Sequence, residues 1–202
     1  SAYAGVLQRY PKSVEAPRAL YAIGQASEES LNWQKAAEAY GELLRSYPES
    51  EDAQRAQLSL GLSLHKLGRY TEAIDAYDKI LGNPGKYKRD IEVLAQAHKA
   101  ESLYEMGQYE KAAENYLRVS LVYFDPDLGI VALSRAGDSY EKLGRWSDAV
   151  IWYRKILKDY ASPGGEYYSR RKGEWDSTID FARKRLERIE AVQAPGGDAS
   201  ER

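Results

Sequence analysis

The sequence predicts an all-α fold, an α-solenoid of helix-turn-helix units closed by a C-terminal capping helix. Three observations carry that prediction. Alanines 36, 73, 112 and 149 recur at steps of 37, 39 and 37 residues. A tyrosine follows each alanine by four, at positions 40, 77, 116 and 153, with Tyr3 as a fifth member of the column. A second helical pattern lies upstream of each block, and its small residues Gly24, Gly61, Ala100 and Gly137 keep the same rhythm.

Taken in order, residues 1–13 (SAYAGVLQRYPKS) match the second helix of a unit, because Ala2, Tyr3, Val6 and Leu7 correspond to Ala39, Tyr40, Leu43 and Leu44. The expectation is a truncated repeat whose first helix precedes Ser1. Four full units follow, at about 14–49, 50–86, 87–125 and 126–160. Each reads as helix A, a tight turn and helix B. Gly68, Gly107 and Gly144 occupy the turn, where a left-handed backbone costs glycine little. The first unit has Ser30-Leu31-Asn32-Trp33 there, and Asn32 is expected to take the left-handed conformation. The small residues of helix A are expected to face the helix-B alanines, Gly24 against Ala36, with the tyrosine filling the gap toward the next unit. One unit cannot bury its apolar face, so stacking makes the core.

Residues 161–173 break the helical period with Pro163-Gly164-Gly165 and carry Arg170, Arg171 and Lys172. Over 174–192, Trp175, Ile179, Ala182, Leu186 and Ile189 form one apolar stripe, as a capping helix requires. The tail 193–202 is Pro/Gly-rich and polar, and is expected to be disordered.

Composition narrows the chemistry. The chain has 202 residues, a formal net charge of −2 and 43% hydrophobic residues, enough for one sizeable domain or two small ones. The near-neutral balance argues against nucleic-acid binding, and no apolar run is long enough for a transmembrane segment. There are no cysteines, which removes disulfides and thiolate metal sites and fits either cytosol or periplasm. Eleven of the 17 tyrosines fall in the repeat columns and are assigned to packing. His65 and His98 lack the spacing of a metal motif, and there is no phosphate-binding, dinucleotide or nucleophile-elbow fingerprint. No enzyme, metal or cofactor is nominated.

The small-x-x-Tyr, Gly-turn, Ala-x-x-x-Tyr, Pro pattern over residues 1–160 resembles the tetratricopeptide (TPR) repeat. The usual period there is about 34 residues, so three to five are added per unit here. The YPKS and YPES endings at 10–13 and 47–50 look like the TPRs of bacterial envelope proteins, of the outer-membrane assembly lipoprotein and Tol–Pal coordinator type. The resemblance implies a right-handed superhelix whose helix-A faces line a concave groove for a protein or peptide partner. Its groove positions correspond to Arg18, Tyr21, Gln25 and Glu28; Arg55, Leu58, Leu62 and His65; Leu94, His98, Glu101 and Glu105; and Val131, Arg135, Asp138 and Lys142. The lysine/asparagine/arginine clamp of chaperone-binding members is replaced by Tyr21, Gln25, Ser59, Leu94 and His98, so a C-terminal carboxylate ligand is not expected.

The expected function is a non-enzymatic scaffold holding a partner segment in that groove, in a periplasmic or outer-membrane-associated assembly, with the cytoplasm as the alternative compartment. A second reading is an envelope adaptor that touches polysaccharide or peptidoglycan through aromatics and a basic edge of Lys86, Lys88, Arg89, Arg170, Arg171 and Lys172. A third is self-association through an exposed solenoid end.

Overall fold

A computed structural model describes residues 13, 15–168 and 173–193, and every element of regular structure among them is helical. Apart from Ser13, the expected closing helix at 1–13 lies outside the described residues, as do Arg170–Lys172 and the tail from 194. The helices form two compact units that divide between Met106 and Gly107.

In the first unit α1 (Glu15–Glu29), α2 (Trp33–Ser46), α3 (Ala53–Lys66), α4 (Tyr70–Leu81) and α5 (Arg89–Glu105) follow one another, each packed on the next. Helices α1, α3 and α5 are the A helices and α2 and α4 the B helices. Their contact differs from the expected small-on-small pairing. A Cβ added at Gly24 would overlap the ring of Tyr40, and one added at Gly61 the ring of Tyr77. The tyrosine therefore lies across the glycine within its own hairpin and, as expected, also meets the next one, Tyr77 stacking on His98 of α5 and Tyr40 packing with Ala53 and Ala56 of α3. The reason is volume: two helices with only glycine and alanine facing would leave a slot that a flat ring fills. Ala36, Tyr40, Ala73 and Tyr77 are all fully buried.

The tight turns share one hydrogen-bond pattern. Arg69 N donates to Leu64 O at 2.9 Å, and Gly68 stands at φ +73°. In the first hairpin Asn32 N donates to Ser27 O at 2.7 Å, but the left-handed residue is Leu31 at φ 56°. Asn32 instead caps α2, its side chain accepting from Lys35 N at 3.1 Å. Counting back five residues from each column alanine gives Gly68, Gly107, Gly144 and, in the first unit, Leu31, which explains the correction. The leucine side chain is 71% exposed and offsets nothing by packing. Leu31→Gly is accordingly expected to stabilise the chain by about 1 kcal/mol, read as a higher denaturant midpoint.

The second unit contains α6 (Tyr109–Val122), α7 (Pro126–Lys142), α8 (Trp146–Ile156) and α9 (Asp176–Gln193). Asp125 caps α7 by accepting from Leu128 N at 2.8 Å, with Pro126 at the first helical position. The glycine–tyrosine contact recurs, a Cβ at Gly137 lying 2.6 Å from the Tyr153 ring. The last B helix departs from the sequence reading: α8 ends at Ile156, and a π-helical turn, Leu157–Ala161, completes it. That wider turn buries both Asp159 and Tyr160. The Tyr160 ring meets Tyr167 at 4.8 Å and Trp175 at 4.9 Å, while its hydroxyl donates to Pro126 O at 3.1 Å. The predicted stripe of Trp175, Ile179, Ala182, Leu186 and Ile189 is the face α9 lays on α8 and this aromatic cluster.

Candidate functional site

The A helices of the first unit bring a set of polar and aromatic groups together along one face. Tyr21 on α1 tilts against Tyr40, ring centroids 5.6 Å apart, and burial raises the pKa of its hydroxyl against the opposing pull of Ser59 and Arg55. Glu28, the penultimate residue of α1, reaches Ser63 on α3 at 3.5 Å. Burial raises its carboxyl above the usual range, with the Tyr40 and Ser63 hydroxyls pulling it back. The Tyr40 hydroxyl is buried beside Glu28 and Ser59.

Between α3 and α5 the contact is a chain of hydrogen bonds. Ser102 Oγ donates to His98 O at 2.9 Å, and His65 Nδ1 lies 2.9 Å from the same Oγ. The serine has one proton to give, so His65 carries its own on Nδ1 and presents Nε2 as an acceptor. His65 meets Tyr70 edge-on at 5.3 Å, and the His98 ring stacks on Tyr77 at 6.0 Å. Burial is the main cause that lowers both imidazole pKa values; Lys66 adds to it at His65 and His65 adds to it at His98, while Glu101 opposes at both and Glu105 at His65.

The folded chain thus keeps both histidines neutral to a lower pH than the unfolded chain, which takes up protons as pH falls below about 6.5. Their contribution to stability is complete above that pH and is lost below it. Between pH 7 and pH 5 the urea midpoint is expected to fall, and to fall less in His65→Gln/His98→Gln. An equal fall in that variant assigns the loss to carboxylates instead.

Of the residues the sequence nominated, Tyr21, Leu58, Leu62, His65, Leu94, His98 and Glu101 are half-buried, and Arg18, Gln25 and Arg55 are exposed. Tyr21 stands beside Arg55, and the two histidines beside each other and Glu101. Leu58 also packs on the α3–α4–α5 core. In the second unit Arg135 is half-buried and Asp138 buried, and Asp138 is already engaged: Arg185 of α9 donates to Oδ1 at 2.8 Å. Lys86, Lys88 and Arg89 are exposed, Arg89 opening α5, while the other three basic-edge residues lie outside the described residues. Two features escaped the sequence reading. Serines 63, 102 and 139 form a fully buried column in the repeat rhythm, legible as steps of 39 and 37. Arg185 and Arg188 both reach Glu141, pairings across 44 and 47 residues that no local pattern announces. Among the described residues no group of three or more His, Cys, Asp or Glu side chains is placed to hold a metal ion. No helix among them is long and apolar enough to cross a membrane.

Helix hairpins closed by a glycine–tyrosine contact, with A helices presenting a mixed polar and aromatic face, define an α-solenoid repeat protein. The chain belongs to the tetratricopeptide repeat family, whose model matches residues 21–87 and 99–166. A comparison with curated proteins returns no match. Among solved structures, a tetratricopeptide repeat protein from Parabacteroides merdae is similar at a TM-score of 0.64 and 18% identity, over 86% of this chain. This chain spans 60% of that one's length. The MamA RS-1 ArsTM double mutant is similar at 0.59 and 16% identity, over 88% of this chain and 96% of its own. At these identities the likeness is one of fold.

Proposed function

We propose that the A-helix face of α1, α3 and α5 holds a segment of a partner protein, as TPR repeats generally serve as protein–protein interaction scaffolds. The observation that carries this reading is the alternation along that face of half-buried apolar side chains, Tyr21, Leu62 and Leu94, with hydrogen-bonding groups fixed by neighbouring helices, Glu28 and His65. Apolar patches interleaved with pre-oriented donors and acceptors suit a peptide, whose backbone must keep its hydrogen bonds on leaving water. A bacterial envelope setting belongs to the same proposal and rests on the YPKS and YPES endings.

The test is affinity capture from the native host followed by titration of the captured partner. Leu62→Arg is expected to weaken binding about tenfold or more. Because the long arginine stem leaves its charge in water, the melting temperature should stay near wild type. Undiminished binding by a folded Leu62→Arg protein places the partner elsewhere.

A further inference from the structure

On the B-helix side of the first unit, two abutting clefts of about 560 and 460 Å³ run along α2 and α4 and share Gly41, Arg45, Leu60 and Lys79. Leu60 and Leu64 of α3 line the clefts between the two B helices, with Ala37 and Gly41 on the α2 wall and Ala76 and Lys79 on the α4 wall. One end is closed by Gln54, which donates to Lys86 O at 2.9 Å and accepts from Lys88 N at 3.4 Å.

Gly41 is the unexpected residue. Glycine inside a helix is less stable than alanine, yet a Cβ here would meet only Arg45 Nη1, at 3.9 Å. Nothing in the fold requires the missing side chain. The equivalent positions of the other repeats are Asp78, Leu117 and Arg154, so the repeat pattern does not require it either. What Gly41 does provide is open space where the two clefts join.

The charges along the groove are unevenly distributed, with more cationic than anionic side chains in the cleft at the Gln54 end. At the Gln54 end Lys86 lines it together with Glu49, and Lys79 stands where the two clefts join; among the described residues no ion pair holds either lysine. At the other end stand Glu38, Glu72 and Asp75, of which Glu72 is held by Arg69 at 2.6 Å. From Gln34 to Arg45 the α2 wall is about 16 Å long, which spans about five residues of extended chain.

We propose that this groove is a second docking surface, taking a short extended segment of a partner protein with apolar residues at its centre, acidic residues at the Lys79–Lys86 end and basic residues at the Asp75 end. Its walls are α2 and α4, and the α3 residues it uses, Gln54, Leu60 and Leu64, are not those of the A-helix face, so it stands independently of the function proposed for that face.

The test uses the full chain and fluorescein-labelled peptides Asp-Asp-x-Ala-x-Lys-Lys, with x leucine, isoleucine, valine or phenylalanine, read by anisotropy. At least one is expected to bind with a Kd below about 1 mM. Gly41→Leu, which fills the junction on a half-buried helix face, is expected to raise the melting temperature and weaken that peptide about tenfold. Lys79→Glu/Lys86→Glu should weaken it similarly, and Leu62→Arg should leave it unchanged. Absence of binding by every peptide overturns the proposal, as does equal binding by wild type and both groove variants. Loss on Leu62→Arg alone assigns the peptide to the A-helix face and equally overturns it.

Discussion

Gly61→Val is expected to destabilise the protein by about 3 kcal/mol, lowering the melting temperature by roughly 6–12 °C. The added atoms fall on the ring of Tyr77, a side chain with no exposed surface, pinned on its other side by the stacked ring of His98. Neither partner can step aside without parting α3 from α4. The matching double variant, Gly61→Val with Tyr77→Leu, is expected to recover part of the loss because the smaller side chain vacates the overlap. A double-mutant cycle measured by urea unfolding gives the coupling. Strictly additive losses in the cycle refute the contact as the cause.

Glu141→Ala is the second large effect. This carboxylate is 5% exposed as a side chain, accepts from the Tyr153 hydroxyl at 2.7 Å and pairs with Arg185 and Arg188 of α9. Removing it strands the buried Tyr153 hydroxyl and leaves Arg185 with Asp138 alone, at about 3 kcal/mol. The loss should appear first where α9 begins. Trp175, 7% exposed with its indole Nε1 donating to Asp127 at 3.1 Å, is expected to shift its fluorescence to the red below the global transition. Arg188→Ala should cost under about 1 kcal/mol, because that side chain is half in solvent and Glu141 keeps Arg185. Equal losses in the two variants contradict this assignment of roles.

The hairpin architecture was legible because each repeat spells out the same local physics: a glycine where the chain must turn left-handed, a small residue where helices meet, a tyrosine one turn beyond the alanine. Where the reading slipped, the cause lay in three dimensions. Gly24 and Ala36 occupy matching columns, but helix rotation aims the Tyr40 ring at the glycine. Asn32 is the better left-handed residue by propensity, yet the register of the turn puts Leu31 there and gives Asn32 the cap. The π turn after Ile156 follows from Tyr160 meeting Tyr167 and Trp175, partners that arrive only once the chain has folded back. Among the candidate groove residues, His65 and His98 were nominated one by one. Their link through Ser102 depends on the stagger between two helices, which spacing alone does not give.

The seat of α9 has a consequence for growth. It rests on α8 and α7 as α5 rests on α4 and α3, so it stands where the first helix of another hairpin would add. Its opposite side, with Asp180, Arg183, Lys184 and Glu187 exposed, offers water where an incoming hairpin needs hydrocarbon. In the vocabulary of polymerisation α9 takes the seat of an incoming monomer, fitting the end of the stack as the first helix of a hairpin does. A hairpin from another molecule could extend the stack here only by first breaking the arginines' hold on Asp138 and Glu141, which makes elongation at this end an exchange reaction and no longer a simple association.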